Sequence, residues 1–193
     1  AVAEGGAKAN DDFADRGGYE PGFIPGFIVP LPDYSRVKWT PARNRAAQDQ
    51  DDPHELRYHH FSIVMNKDRR LCGLTAVNID GRRIKAIDRA TKTVTDNPTL
   101  KDLGIESLGG AEASDAFRPD SRVDIEEQMA RPVDEQQVVP GFPDTSSQAR
   151  IARMFQKGHI VLRSDPAWGT DAQALAAEHD TFFYTNAAPQ VGF

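Results

Sequence analysis

The sequence lacks the features that identify several large classes of protein. Its 193 residues include a single cysteine, Cys72, so no disulfide within the chain can stabilise the fold. No apolar run reaches the roughly 18 residues that a membrane-spanning helix needs, and no secretory signal pattern is present. A membrane protein and a disulfide-stapled domain are therefore excluded, and we expect a cytoplasmic protein with no membrane partner.

Familiar catalytic signatures are missing as well. The sequence has no glycine-rich loop that could cradle a phosphate, no zinc-ligand spacing of cysteine and histidine, and no serine nucleophile elbow. Its composition, 39% hydrophobic and 27% charged, is that of a globular domain. A chain of this length can bury a core of its own.

Positive charge is scarce. The formal net charge is −6, which by itself argues against a general nucleic-acid-binding protein, because such proteins are usually basic. Ten acidic and three basic residues lie between Asp102 and Glu135 and sum to −7, so the other residues carry +1. Four basic residues uninterrupted by an acid lie from Arg150 to Arg163. The pattern indicates a near-neutral domain with a basic segment and an acidic insert (102–146), and the simplest interpretation of such runs is a solvated surface.

The first half of the chain predicts an arm, an extended segment and a hairpin. Residues 1–18 are small and polar and predict a flexible arm. Residues 19–33, which we call the strap, contain four prolines among apolar residues and predict an extended segment lying along the body. Leu56–Met65 and Leu71–Ile79 predict two strands of a hairpin, which puts His59 and His60 on opposite faces in structural roles.

The second half predicts alternating helices and strands. A helix is expected from Ser146-Ser147 through Phe155, with Arg150, Arg153 and Lys157 along one face. A strand at His159–Arg163 follows, then a helix from Thr170 or Asp171 to about His179 with Ala172, Leu175 and Ala176 inward. A last strand is predicted at Thr181–Asn186. Together these elements predict an α+β fold.

Three stretches carry a resemblance to a known family. They are GYEPGFIPGFIVPLP (18–32), LRYHHFSIVMNKDRRLCGLTAVNIDG (56–81), and QKGHIVLRSDPAWG (156–169) followed by DTFFYTNAAPQVGF (180–193). In order and spacing they resemble the DNA/RNA non-specific endonucleases, the endonuclease G-like ββα-metal nucleases. The last pair is similar to the family's Asp-Arg-Gly-His and Thr-Asn-x-x-Pro-Gln segments.

The resemblance implies a ββα-metal nuclease fold, with a central, mainly antiparallel sheet flanked by helices, and cleavage of DNA and RNA. It implies His159 as the general base, because a histidine near its ordinary pKa can accept the proton of water at neutral pH. It also implies Mg²⁺ or Mn²⁺ as the cofactor. Asn186 matches the Thr-Asn site, with a role toward the metal's waters or the histidine, or alternatively in satisfying backbone groups. Lys157, Arg163, Arg153 and Arg89 are the candidate phosphate contacts.

Two departures from the family pattern affect these expectations. Gln156-Lys157 replaces the usual Asp-Arg, which keeps a positive charge but loses bidentate phosphate geometry. Phe193 stands one residue before the asparagine that serves the family as direct metal ligand. We therefore expect residues 19–193 to be the N-terminal part of an incomplete nuclease domain. The remainder would be supplied by a following segment or a second chain, as proteolytic nicking by an activating protease would produce.

Two alternatives remain open. The chain could be a catalytically inactive family member that acts as a binding or regulatory subunit through its acidic insert. It could also be a nuclease whose acidic insert mimics nucleic acid and covers the basic groove. A homodimer is a further expectation from the resemblance.

Overall fold

The computed structural model describes residues 12–88, 90–103, 117–128 and 155–191. Three strands, β1 (Glu55–Arg57), β2 (Phe61–Asn66) and β3 (Leu71–Val77), form an antiparallel sheet in that order. Two further antiparallel pairs are β4 (Lys85–Ile87) with β5 (Val94–Asp96), and β6 (Phe155–His159) with β7 (Ala187–Val191). The helix α1 spans Asp171–Asp180, and 3₁₀ turns lie at Ile125–Glu127 and Tyr184–Asn186. This mixture of sheets and few helices is an α+β fold.

The predicted hairpin is confirmed, but its first strand is not continuous. β2 pairs with β3 across a turn at 67–70, whereas β1 folds back on β2, with Leu56 opposite Ile63. The bend lies at Tyr58–His60, where His60 has a φ of 68°. It brings the Tyr58 and Phe61 rings into the core, stacked with centroids 4.7 Å apart. Burial of both rings favours this bend over an extended strand.

The core forms around β2, all six residues of which are buried. The apolar side chains packed together include Leu56, Tyr58, Phe61, Ile63, Met65, Val123, Val161 and Phe183. They come from the hairpin, from the 117–128 segment and from the C-terminal part, so the core joins segments far apart in the sequence. Among the described residues, no helix is long and apolar enough to cross a membrane.

Part of the acidic insert belongs to this core. Asp120 and Arg122 are buried and ion-paired, with Nη2 2.8 Å from Oδ2. The Tyr58 hydroxyl donates to the same Asp120 oxygen at 2.5 Å, and Gln128 bonds the backbone of Asp120 in both directions. The interpretation of these charges as a solvated surface is therefore wrong for Asp120 and Arg122. Residues 104–116 and 129–146 of the insert lie outside the described residues.

The predicted flexible arm is shorter than expected. Residues 12–18 lie on the core, with the Phe13 ring 5.5 Å from that of Phe183 and Arg16 3.2 Å from Asp180. Gly18 has a φ of +77°, and a Cβ there would lie 2.7 Å from the Ser62 hydroxyl, so only glycine fits. Residues 1–11 lie outside the described part of the chain.

The strap is held in its N-terminal part but leaves most of its apolar side chains exposed. Glu20 exchanges hydrogen bonds with the Asn78 amide, and the Phe23 ring lies 5.3 Å from Trp168. Four other apolar residues are 50–76% exposed: Ile24, Phe27, Ile28 and Val29. The expectation that these side chains pack along the body is therefore wrong.

The C-terminal elements differ from prediction in their boundaries. Phe155 lies in β6 rather than in a helix, β6 ends at His159 rather than starting there, and residues 146–154 lie outside the described range. The predicted strand at Thr181–Asn186 is wrong, because a 3₁₀ turn ends there and β7 follows it.

Helix α1 is confirmed. Its N-cap is Thr170, which forms a capping box with Gln173. The predicted inward face is wrong, since Ala174, Ala177, Glu178 and Asp180 are buried instead. An alanine-rich helix of ten residues has no strong apolar stripe. The orientation of α1 is therefore set by the contacts of its two buried acids, Glu178 and Asp180.

Candidate functional site

His159 ends strand β6 and is held by two aromatic rings. Its backbone pairs with Ala187 of β7. The Phe182 ring meets the imidazole edge-on at 4.7 Å, and the Phe117 ring lies 4.9 Å away at a tilt of 47°. The residue as a whole is half-buried, and the Nε2 atom of its ring is buried. The two aromatic rings fix the position of the imidazole.

Asn186 fixes the backbone that follows His159. Its Oδ1 accepts from the Val161 N–H at 2.9 Å, and its Nδ2 donates to the carbonyls of Val161 and Thr181, each at 2.9 Å. Its own carbonyl accepts from the Ile160 N–H. Both amide protons of this fully buried side chain are used, so the amide satisfies backbone groups and does not present a free donor to a ligand.

A buried polar network joins this turn to the 117–128 segment. The Tyr58 hydroxyl lies 2.5 Å from Thr185 Oγ1 as well as from Asp120. Above it, the Arg118 N–H donates to the Phe182 carbonyl, and the Tyr184 N–H donates to the Arg118 carbonyl. These bonds bring Phe117 beside His159. No local sequence pattern indicates that Phe117 or Tyr184 belongs to the site, because their neighbourhood depends on contacts between distant segments.

Lys157 lies close to His159 on β6, and its predicted place on a helical face is wrong. The two residues are separated by one position on β6, so their side chains point to the same face. Lys157 is exposed, and its Nζ lies 3.0 Å from the Tyr184 hydroxyl and 5.1 Å from the centre of that ring. A continuous row of side chains therefore runs from Lys157 through Tyr184 and Phe117 to His159.

Gly158 allows β6 and β7 to approach closely. The residue is opposite Ala188, and a Cβ on it would lie 1.7 Å from Gln190 Cδ. The Gln190 amide lies over this glycine and reaches to 3.5 Å from the His159 carbonyl. A side chain at 158 would displace Gln190 from the backbone that carries His159.

Arg163, another predicted phosphate contact, is not in this row. Arg163 is directed at α1, where its Nη1 lies 3.7 Å from the buried Glu178. Lys92 approaches the other oxygen of Glu178 at 4.0 Å. Arg89 and Arg153 lie outside the described residues.

A second polar cluster lies where α1 ends. Asp180 accepts from the backbone N–H of His59 at 3.0 Å and contacts its Nδ1 at 2.8 Å, while Arg16 pairs with the other oxygen. Burial acts to raise the pKa of Asp180, but the His59 hydrogen bond and the Arg16 charge bring it below its ordinary value.

His60 faces elsewhere, stacked 3.5 Å from the Trp168 ring, with its Nδ1 2.8 Å from the Pro166 carbonyl. Burial lowers the pKa of His60. The two adjacent histidines therefore have separate environments and do not converge on one ligand.

The described residues do not by themselves supply a magnesium site. Among them, no group of three or more His, Cys, Asp or Glu side chains converges in a way that could hold a metal ion. The Asn186 amide is occupied by backbone partners.

Comparison with known families decides the assignment. The family model of the DNA/RNA non-specific endonucleases matches residues 40–193. The chain belongs to this family. The match covers His159, Asn186 and the whole row described above, whereas residues 12–18 and the strap precede it.

A curated relative of this endonuclease family member is known from a bacterium. The chain is 31% identical over 183 residues to the uncharacterized protein y4fB of Sinorhizobium fredii (strain NBRC 101917 / NGR234). The alignment covers 92% of this chain and 22% of that protein. The endonuclease-like chain thus spans about a fifth of its relative's length.

Proposed function

We propose that this protein hydrolyses phosphodiester bonds of DNA and RNA, with His159 as general base. The observation that carries the proposal is the half-buried His159, held by Phe117 and Phe182 beside the exposed Lys157, within the matched region of a nuclease family. In the reaction, an imidazole nitrogen accepts the proton of a water molecule. The water oxygen bonds to phosphorus while the bond from phosphorus to the leaving sugar oxygen breaks.

Lys157 and Asn186 have supporting roles in the proposal. Lys157 neutralises phosphate charge as a point charge, since an ammonium group cannot form the bidentate contact that arginine makes. Asn186 is a positioning residue, because its three bonds hold Val161 and Thr181, which flank His159 and Phe182. Neither of these roles involves reading a base edge, in keeping with sequence-independent cleavage.

The proposal includes dependence on Mg²⁺ or Mn²⁺ and the ββα-metal nuclease fold, both expected from the family resemblance. A divalent ion would supply Lewis-acid chemistry at the phosphate.

Substitution of the proposed base tests the function. We expect the protein, together with any completing segment, to degrade plasmid DNA and RNA with Mg²⁺, and His159→Ala to lower the rate about 10²- to 10⁴-fold. His54→Gln is the matched control, because His54 lies before β1 with its Nδ1 on the Ala42 carbonyl. Equal rates for wild type and His159→Ala would reject the assignment.

A second candidate is an inactive or autoinhibited family member that works through its acidic insert. The observation that favours it is Gln156-Lys157 in place of Asp-Arg. In that case wild type would bind nucleic acid or a protein partner without cleaving it. A homodimer, an activating protease and a cytoplasmic location remain predictions.

A further inference from the structure

The aromatic side chains in and around the row that contains His159 differ in how far they are buried. Phe182 and Phe183 are buried, with 5% and 1% of their surface exposed, and they belong to the core. Phe117 and Tyr184 are only half-buried, and the neighbouring Lys157 is exposed. Aromatic rings open to solvent next to a cation resemble the stacking surfaces of proteins that bind single-stranded nucleic acid.

The two rings are placed side by side and close to the proposed reaction centre. Their centroids lie 5.9 Å apart at a tilt of 35°, and Phe117 is 4.9 Å from the His159 ring. At the other end, Lys157 Nζ lies 3.0 Å from the Tyr184 hydroxyl. A base stacked on these rings would keep its own phosphates between the lysine charge and the imidazole.

Such a surface should bind single strands in preference to duplexes, because the faces of the bases are accessible only in a single strand. In a duplex the faces of the bases are covered by their neighbours, and only the edges are accessible in the grooves. Bases of a single strand can turn out and stack on aromatic side chains. Because every base has such a face, stacking is tolerant of sequence.

We propose that Phe117 and Tyr184 stack a base next to the scissile phosphate, so that single-stranded DNA or RNA is the favoured substrate. The proposal rests on the function proposed for His159, because that function places the phosphate beside these rings.

Binding to matched single-stranded and duplex DNA tests the proposal. The full chain carrying His159→Ala, with any completing segment, is titrated into a fluorescein-labelled oligonucleotide and into the duplex of the same sequence. Phe117→Leu and Tyr184→Leu should each weaken single-strand binding roughly 5- to 100-fold and change duplex binding less than twofold. Tyr184→Phe should retain most of the affinity. Phe23→Leu, at an aromatic residue of the strap, should change neither.

Equal losses on both strand states, or no loss, would overturn the stacking surface. A second measurement does not depend on variants that fold poorly. An oligonucleotide with 2-aminopurine should change its base fluorescence when it binds the His159→Ala protein, and an unchanged emission at saturation also overturns the proposal.

Plasmid cleavage by the wild-type protein separates this proposal from the preceding one. If the wild-type protein does not cleave plasmid DNA, and the Phe117 and Tyr184 variants still lose single-strand binding selectively, only the nuclease function is refuted. A protein that cuts but shows no strand-selective loss refutes the stacking surface alone.

Discussion

At the scale of single residues, Asn186 has the most defined role in the site. Its side chain satisfies one N–H and two carbonyls of the loops on either side of the His159 ring. Without it, buried backbone groups would lose their partners, which costs about 1–3 kcal/mol each. We therefore expect Asn186 to act on the proposed reaction through the placement of its neighbours.

Asn186→Ala should lower the free energy of unfolding by about 2–4 kcal/mol because these groups are left unsatisfied. We also expect kcat to fall more than KM rises, since the imidazole loses its alignment while Lys157 stays in place. Urea unfolding and steady-state cleavage measure the two effects. Gln48→Ala, at an exposed amide, is the control and should stay within about 0.5 kcal/mol of wild type. A stability loss with unchanged kcat would contradict the positioning role.

Asp180 makes the fold sensitive to acid. Its pKa in the folded protein lies below the unfolded value of about 3.9, so its charge stabilises the fold fully above that pH. This contribution is lost as the pH falls through the folded pKa. Wild type should therefore lose stability below about pH 4, whereas Asp180→Asn should be less stable at pH 7 and decline less steeply. Thermal unfolding from pH 3 to 7 measures the difference, and parallel curves would argue against it.

At the scale of elements, the acidic insert divides into parts with different roles. Its 117–128 segment supplies Phe117 to the site and Val123 to the core, and its Glu127 pairs with Lys67 at 2.6 Å. An autoinhibitory role could belong only to its other residues. Removing the whole insert would therefore remove part of the fold and would not test inhibition.

Deletions that spare this segment provide the test. If the insert covers the site, replacing 129–140 with a short Gly-Ser linker should raise the cleavage rate severalfold, because the acidic residues no longer compete with substrate. Replacement of 104–116 is the companion variant. Plasmid cleavage and thermal unfolding are measured for each. A folded deletion variant with the wild-type rate would exclude autoinhibition by the deleted part.

Local signals in the sequence predicted some elements and missed others. The β2–β3 turn and the Thr170 cap of α1 are encoded within a few residues, and both are present. The bend at Tyr58 and the 3₁₀ turn ending at Asn186 are set by partners 62 and 25 residues away, respectively. No local pattern contains that information. For the same reason the sequence predicted Lys157 on a helical face, whereas it shares strand β6 with His159, and the rings around His159 were not predicted.

At the scale of the whole molecule, the net charge of −6 limits how phosphate can be bound. Of the four cations proposed as phosphate contacts, Arg163 faces Glu178, and only Lys157 among the described residues lies in the row with His159. Each phosphate contact adds to the salt dependence of binding, because it releases counterions.

Lys157→Ala should reduce the slope of log affinity against log salt by about 0.7 for a single strand, which is the contribution of one phosphate contact. Lys38→Ala, at an exposed lysine before the hairpin, should leave the slope unchanged. Anisotropy titrations between about 50 and 200 mM salt give both values. A slope unaltered by Lys157→Ala would remove this lysine from the phosphate-binding residues.

The Tyr58 hydroxyl bridges Asp120 and Thr185, which lie 62 and 127 residues further along the chain. Contacts of such sequence separation form late, after long loops have closed. During synthesis, the rings around His159 cannot assemble until residue 184 has left the ribosome. An unfinished chain thus carries His159 without the rings that hold it, so the activity proposed for this residue would begin only after translation has passed the site.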